Sequence, residues 1–262
     1  MAGKRAWEKI WPPGAAILAV LIAWEAACRL GMADPWVLPA PSAIAGKLIE
    51  DAGLIGRHVL ATLGLAAGGV GLGLACGVAV AVALHLMPAF RAAVTPILLA
   101  SQNVPIVALG PLLMIWFGFG LAPKLILLTL VCFFPIAWSM LTGLGQSEPH
   151  LREYLAMIGA SRRDILLKLE LPASLPYLFA GLKISVTYSV LAAMFAEWLG
   201  ASRGIGYYLF IRFKGFDITS VFAAVICIIA LCFVLYGLAA ALEKRVIYWR
   251  RPSRRAGAGE LK

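Results

Sequence analysis

The sequence predicts an all-α integral membrane protein with about six transmembrane helices and a cytoplasmic loop that forms two short helices. Hydrophobic residues make up 62% of its 262 positions and charged residues only 14%, whereas an ordinary soluble chain is about half apolar and about a quarter charged. Apolar runs of about 20 residues, the length that crosses a bilayer, recur along the chain. Residues 1–262 are therefore predicted to form a single transmembrane domain, with its core at about 58–242.

The predicted spans are separated by short polar segments. The first, residues 10–27, is barely long enough to cross a bilayer and follows basic residues, so a cleaved signal peptide is the alternative. Residues 43–55 are predicted to form an amphipathic helix outside the bilayer core. The other five spans are predicted at residues 59–84, 92–123, 125–144, 175–199 and 221–242.

Glycines in the second predicted span indicate close helix packing. Gly69, Gly73 and Gly77 recur every four residues and therefore share one helix face. Small residues at that spacing let two helix backbones approach closely in a membrane. The pattern concerns packing and carries no information about a transported substrate.

The third predicted span contains an unusual polar group. Residues 92–123 carry no charge, and three prolines interrupt them. Ser101, Gln102 and Asn103 lie beside Pro105, the middle proline. Polar groups at membrane depth need internal partners or a wet cavity. These three residues are therefore predicted either to line a translocation pathway or to form hydrogen bonds between helices.

Basic residues set the predicted topology. Lys and Arg concentrate in the cytoplasmic segments of membrane proteins, and most of the 23 Lys and Arg residues fall in the termini and in the segments 85–96 and 146–171. Both termini are therefore predicted to be cytoplasmic, which requires an even number of spans. This topology explains the net charge of +10 without nucleic-acid binding. Residues 243–262 are predicted to be a basic, poorly ordered cytoplasmic tail.

The most polar internal segment, residues 146–172, is the main candidate for a functional surface. Apolar residues recur at helical spacing on both sides of Gly159, Ala160 and Ser161, with charged residues between them. The three small residues divide the segment into two short helices, and Ser161 can cap the second. Such an outcrop is a docking surface for a partner protein or, alternatively, a helix lying on the anionic membrane surface.

This segment resembles the cytoplasmic EAA loop of binding-protein-dependent ABC importer permeases. That loop reads Glu-Ala-Ala, three residues, Gly, nine residues and Ile-x-Leu-Pro. The chain departs from the motif at Tyr154 and Leu155, where the family has two alanines, and at Leu169, where the family has isoleucine. The residues that match are Glu153, Gly159, Leu171 and Pro172, Leu169 stands at the isoleucine position, and Ala160 follows the glycine directly.

The resemblance extends in order over roughly residues 35–245. Its segments look like the nitrate, sulfonate, taurine and pyrimidine-precursor branch of the family, and they imply the type I ABC importer permease fold in a bacterial inner membrane. The segments that carry it are residues 104–118, which end in Trp116-Phe117-Gly118, residues 171–176, and residues 196–207, which end in Gly204-Ile205-Gly206-Tyr207.

The resemblance also implies several partners. Two copies would form a homodimer, a cytoplasmic ATP-binding subunit would dock on the loop, and an extracytoplasmic binding protein would deliver substrate. The substrate would be a sulfonate, a nitrate- or taurine-like anion or a thiamine-pyrimidine precursor, moved by alternating access. Only the partner would use ATP, because the chain lacks a G-x-x-x-x-G-K-[ST] phosphate loop. The implied ATPase-coupling residues are Glu153, Gly159, Ala160, Leu169, Leu171 and Pro172.

Two ionisable residues lie inside the predicted fifth span. Lys183 and Glu197 are about 21 Å apart along a helix, so they cannot pair with each other. Lys183 is predicted to extend toward the cytoplasmic surface, and Glu197 either marks the outer interface or belongs to the translocation pathway as a gate. The three histidines, His58, His85 and His150, are predicted to be solvated residues at loop or helix edges.

Two other function classes have less support. A self-sufficient secondary transporter or channel needs intramembrane carboxylates for ion coupling, and only Glu25 and Glu197 offer themselves, both near the ends of spans. A membrane-bound enzyme needs a catalytic constellation, and the sequence shows neither a Ser-His-Asp set outside the spans nor a metal-ligand spacing. No catalytic residue, metal site or bound cofactor is therefore predicted.

Overall fold

The computed structural model describes residues 2–250, and it describes side chains for residues 14–249. Every regular element in this part of the chain is a helix, which confirms the predicted all-α fold. A π-helical turn, Leu166–Glu170, follows the short helix Arg162–Ile165, and a 3-10 turn, Tyr248–Arg250, follows the last helix. The helices are α1 (Ala2–Arg29), α2 (Pro41–Glu50), α3 (Ala52–Leu86), α4 (Pro88–Ser101), α5 (Ile106–Phe117), α6 (Leu121–Leu144), α7 (Pro149–Met157), α8 (Arg162–Ile165), α9 (Leu171–Trp198), α10 (Ile205–Lys214) and α11 (Ile218–Val246).

Four stretches of helix are long and apolar enough to cross a membrane: α3, α6, the continuous stretch Arg162–Trp198, and α11. α4 and α5 are also long and apolar enough when taken together, but they meet at 100° and form either a broken span or a re-entrant loop. The structure thus supports four or five of the six predicted spans. α1 corresponds to the first of the six predicted spans. Side chains of α1 are described only from Gly14 onward, so the total of six spans stays a prediction.

Two predicted boundaries are wrong. The amphipathic helix ends at Glu50, and α3 begins at Ala52, well before the predicted second span. The early start has a packing reason, since Ile55 is buried in a cluster with residues of α2, α9, α10 and α11. At 1.5 Å per residue α3 is about 52 Å long, which exceeds the bilayer core of about 30 Å.

The C-terminal boundary also differs from the prediction. Residues 243–246, expected in a poorly ordered tail, continue α11. Lys183 Nζ lies 2.8 Å from Glu243 Oε2, so Lys183 forms an ion pair between α9 and α11, and its extension toward the cytoplasmic surface stays a prediction. The rest of the predicted tail, residues 251–262, lies outside the described residues.

The centre of the fold is formed by α3, α6 and α9. Gly69, Gly73 and Gly77 of α3 are buried against α6. A Cβ atom on Gly73 would lie 2.6 Å from the Cβ of Cys132, and one on Gly77 would lie 2.9 Å from Cγ2 of Ile136. The two helices therefore approach at distances that only glycine permits, and the predicted packing role of these glycines is confirmed.

Replacing Gly73 by alanine is expected to destabilise the protein. The added methyl group would collide with Cys132 and with the backbone of α6, and overpacking of this kind costs about 1–3 kcal/mol. Gly71→Ala on the same helix is the control, because its Cβ would meet no atom within 4 Å. Melting temperatures in detergent should fall for Gly73→Ala only, and equal values for the two variants would contradict this packing.

The helices bring their connections together at two opposite ends. One end (the loop end) carries the α3–α4 turn, α7 and α8, and there His85 contacts Glu170 at 2.9 Å. The other (the α10 end) carries α2, α10 and the start of α6. There Asp51 accepts a hydrogen bond from the Tyr208 hydroxyl at 3.1 Å. The candidate functional residues lie at both ends and in a cavity between helices.

Candidate functional site

The segment between α6 and α9 folds as two short helices at the loop end. α7 ends at Met157, and Gly159 then has φ +82°, a left-handed conformation that favours glycine. Ser161 precedes α8, and its Oγ accepts a hydrogen bond from the Asp164 N–H at 3.1 Å, which caps the helix. The predicted division at residues 159–161 and the predicted Ser161 cap are both confirmed.

The six residues implied for ATPase coupling fall into two groups. Glu153 and Gly159 are exposed, and a Cβ on Gly159 would meet no atom within 4 Å. These two residues thus lie on a surface that is free in the described chain. The other four residues attach the loop to the helices beneath it. The second group is half-buried and consists of Ala160, Leu169, Leu171 and Pro172.

The first loop helix presents a large contact surface. α7 has no buried residue, and an open cleft of about 540 Å³ separates it from the end of α6, with Arg152, Glu153 and Arg162 among its walls. Exposed apolar patches with a polar rim are typical of interaction sites. The exposed apolar side chains here are Leu151, Tyr154, Met157 and Ile158.

Glu170, which the sequence alone does not single out, is fully buried where the loop joins the helices. Its carboxylate accepts a hydrogen bond from Arg162 Nη1 at 2.7 Å. It also lies 2.9 Å from His85 Nε2 and 3.6 Å from Arg152 Nε. These four residues, the Glu170 cluster, connect the end of α3 with α7, α8 and the start of α9. In the sequence, the only local sign of this role was that Glu170 directly precedes Leu171-Pro172.

The prediction that all three histidines are solvated is wrong for two of them. The His85 side chain is only 8% exposed in its contact with Glu170, and His58 Nδ1 accepts a hydrogen bond from the Gly204 N–H at 3.1 Å. Both partners are far away in the sequence, so neighbouring residues gave no sign of them. His150 is exposed, as predicted.

The break between α4 and α5 opens onto a cavity. Pro105 is extended (φ −64°, ψ 123°) and directly precedes α5. Ser101 and Gln102 line a cavity of about 740 Å³ between α4, α5, α6 and α9. Asn103 is not part of this lining, and its Nδ2 donates a hydrogen bond to the Leu99 carbonyl at 3.2 Å. Two of the three polar residues therefore meet a cavity, and Asn103 instead donates a hydrogen bond to the end of α4.

Glu197, expected at the interface or in the pathway, lies in a buried network at the α10 end. It is 2% exposed, and its carboxylate accepts hydrogen bonds from Thr62 Oγ1 at 2.7 Å and from the Gly206 N–H at 2.8 Å. Thr62 Oγ1 accepts one from the Ile205 N–H at 2.8 Å. Backbone donors at the start of α10 thus obtain acceptors, and Gly204 leaves no room for a side chain beside the carboxylate. Glu197 therefore attaches α10 to the neighbouring helices, and it does not line the cavity that Ser101 and Gln102 line.

Comparison with known proteins gives a consistent result. The family model of the binding-protein-dependent transport system inner membrane component matches residues 69–248. The formylaminopyrimidine transport permease protein of Halalkalibacterium halodurans is 30% identical over 95% of this chain and 99% of its own. The riboflavin transport system permease protein of Chloroflexus aurantiacus is 30% identical, covering 89% and 88%. The taurine transport system permease protein of Escherichia coli is 33% identical, covering 88% and 87%.

A solved structure supports the same fold. A chain of the MetNI methionine ABC transporter, in an inward-facing conformation, aligns with a TM-score of 0.67 and 21% identity over 75% of this chain and 98% of that one. The apolar helices, the two-helix loop and the family match agree with one another. The chain therefore belongs to the binding-protein-dependent inner-membrane components and is a permease subunit of an ABC importer, with no enzymatic activity of its own.

Proposed function

We propose that two copies of this permease form a homodimer that carries a small polar nutrient across the bacterial inner membrane by alternating access. An ATPase subunit docks on the α7–α8 loop in the cytoplasm, where both termini also lie. A binding protein delivers substrate at the α10 end. The proposed substrates are sulfonates, nitrate- or taurine-like anions and thiamine-pyrimidine precursors, and relatives named for formylaminopyrimidine and taurine transport support this range.

The exposed α7, tied to two spans through the Glu170 cluster, carries this proposal. α7 buries none of its own residues, yet α8 continues through the π-helical turn into α9 without a break. A partner that pulls on α7 and α8 would therefore move α9 directly. It would also move α3, because Glu170 contacts His85 at the end of that helix.

The charges of α7 favour a protein partner over a lipid surface. Helices that lie on anionic membranes carry polar faces rich in Lys and Arg. α7 contains one arginine, Arg152, directly beside Glu153, so its polar face has no net excess of positive charge. An exposed carboxylate next to an apolar patch fits a protein surface that presents a basic group.

Thiol accessibility tests alternating access at the cavity. In a variant without the native cysteines, Gln102→Cys in the purified complex with its ATPase is expected to react with a small polar thiol reagent in one nucleotide state much faster than in the other. The reason is that Gln102 lines the cavity, which should open to opposite sides of the membrane in turn. The readout is the labelled fraction against time, with and without ATP.

A lipid-facing position provides the control for this measurement. Ile229→Cys on the outer face of α11, where the native side chain is 51% exposed, should label slowly in both nucleotide states. Full protection of the Gln102→Cys variant in every state would contradict a pathway at this cavity. It would support hydrogen bonding between helices, the other possibility for these polar residues.

Family membership removes most support from a self-sufficient transporter or channel. Of the two candidate ion-coupling carboxylates, Glu197 already accepts hydrogen bonds from the Thr62 hydroxyl and the Gly206 N–H. Glu25 accepts hydrogen bonds from the Ser42 hydroxyl at 2.7 Å and from the Ser42 backbone N–H at 3.0 Å, and thereby connects α1 to α2. Both carboxylates thus hold helices together, and neither faces the cavity lined by Gln102.

A further inference from the structure

The chemistry of the cavity between α4, α5, α6 and α9 narrows the range of substrates. Its volume of about 740 Å³ lies within the range of ligand pockets, about 300–1,000 Å³. Most of its lining is apolar, with a few polar side chains among aromatic ones. This composition is typical of sites that bind small organic molecules.

No charged side chain lines this cavity among the described residues. An anion such as a sulfonate or nitrate loses its hydration when it enters an apolar cavity, and this is costly unless a cation pairs with its charge. The nearby cation Lys183 is held by Glu243 at 2.8 Å. The lining therefore disfavours a bound anion.

Three neutral side chains of the lining have unused hydrogen-bonding groups. The amide of Gln102 and the hydroxyls of Ser139 and Tyr188 make no hydrogen bond within the part of the chain that the structure describes. An amide offers donors and acceptors together, and a hydroxyl offers both as well. The cavity can thus satisfy a ligand that carries donors and acceptors on a neutral framework.

Two nearly parallel aromatic rings form part of the cavity wall beside these groups. Phe134 and Trp138 lie nearly parallel, with an interplanar angle of 11° and ring centroids 6.3 Å apart, and both line the cavity. Aromatic faces favour stacking with other flat rings. A planar ring with hydrogen-bonding edges therefore fits this wall better than a flexible aliphatic chain does.

From these features we infer that the cavity binds an uncharged, planar nitrogen heterocycle. The ring stacks against Phe134 or Trp138, and its edge groups bond to Gln102, Ser139 and Tyr188. This inference rests on the proposed function, since it makes the cavity a station on the substrate pathway. It selects heterocycles from the proposed substrates and excludes the sulfonates and nitrate as ligands of this cavity.

The test compares two small probes on the purified permease–ATPase complex. 4-Aminopyrimidine, at a pH where it is uncharged, should show saturable binding by saturation-transfer difference NMR, and ethanesulfonate should show none. Gln102→Ala should weaken 4-aminopyrimidine binding about two- to tenfold, the range expected for one neutral hydrogen bond. Trp138→Leu should weaken it as well.

A pair of tyrosines provides a matched control. Tyr188→Phe removes a hydroxyl from the lining and should weaken binding, whereas Tyr236→Phe on α11, equally half-exposed but outside the lining, should not. Ethanesulfonate binding at least as tightly as the heterocycle, or heterocycle binding that none of the lining variants weakens, would overturn the inference. A cavity filled by the second copy of the chain, with no binding of either probe, would overturn it too.

Failure of the proposed function gives a different result. If the permease does not co-purify with an ATPase subunit, the proposed coupling is wrong, but titration of the permease alone still decides whether the heterocycle binds. If the complex assembles and hydrolyses ATP while the cavity binds ethanesulfonate more tightly than 4-aminopyrimidine, only the inference about the substrate is wrong.

Discussion

Replacing Gly159 by aspartate is expected to abolish transport by preventing ATPase docking, while the permease still inserts and dimerises. Gly159 has φ +82°, and an L-residue in this conformation is strained by about 1–2 kcal/mol. A Cβ there meets no atom of the chain within 4 Å, so the fold itself does not clash. The new side chain instead projects, with its charge, from the turn at which we propose that the partner approaches.

Co-purification of the ATPase with the mutant permease, together with substrate-stimulated ATP hydrolysis, measures this effect. Gly31→Asp is the matched control, because Gly31 also has a positive φ, 71°, and also has no atom within 4 Å of its Cβ position. It lies at the α10 end, where the same backbone strain should leave docking unchanged. Normal docking and hydrolysis in Gly159→Asp would show that this turn is not part of the coupling surface.

Glu153→Lys should have a milder effect in the same assay. Glu153 is exposed on α7, and the loss of one charge pair at the rim of an interface weakens binding less than a steric block does. A partial loss of docking that grows smaller at high salt is the expected result, since salt screens exposed charges. Salt-independent docking equal to that of the unmodified protein would separate Glu153 from the docking surface.

The features that could be predicted from the sequence have local signals. The glycine stripe of α3, the division of the loop at Gly159 and the Ser161 cap each depend on residues within a turn or two of one another. The break at Pro105 is also local, because proline lacks the backbone N–H and disfavours helical geometry in the residue before it. Pro111, by contrast, lies inside α5 without ending it.

The features that could not be predicted depend on partners far apart in the chain. His85 and Glu170 are 85 residues apart, and Thr62 and Glu197 are 135 residues apart. A single sequence carries no sign that such residues meet, so each was interpreted from its immediate neighbours. A histidine at a helix end is then interpreted as solvated, and a carboxylate at the end of a span is interpreted as an interface marker.

Both ends of the fold use one buried carboxylate to attach a short helical segment. At the α10 end Glu197 accepts a hydrogen bond from the backbone N–H of Gly206 in α10 and another from the Thr62 hydroxyl of α3, which together hold α10 to α3 and α9. At the loop end Glu170 contacts only side chains, and two of them, from Arg152 and Arg162, are half exposed. Side-chain contacts of this kind can rearrange without unfolding a helix, so the loop end is better suited to transmit motion.

Glu170→Gln is therefore expected to uncouple ATP hydrolysis from transport while ATPase docking persists. Glutamine has nearly the same size but no charge, so Arg162 and His85 lose the anion that holds them together. Removing one partner of a fully buried ion pair costs about 3–5 kcal/mol, and the cost here should be lower because water reaches Arg162, whose side chain is 41% exposed. The variant should still fold and dock, because the surface of α7 is unchanged.

The measurement is the amount of substrate transported per ATP hydrolysed in reconstituted vesicles, with ATPase co-purification as the docking readout. Glu243→Gln is the control, because it removes the ion pair with Lys183 at 2.8 Å but touches neither α7 nor α8. It should keep the transport ratio, whereas Glu170→Gln should lower it several-fold. Glu170→Asp, which keeps the charge on a shorter side chain, should recover part of the ratio. An unchanged ratio in Glu170→Gln would mean that motion of the loop reaches the spans through α9 alone, without the contact to α3.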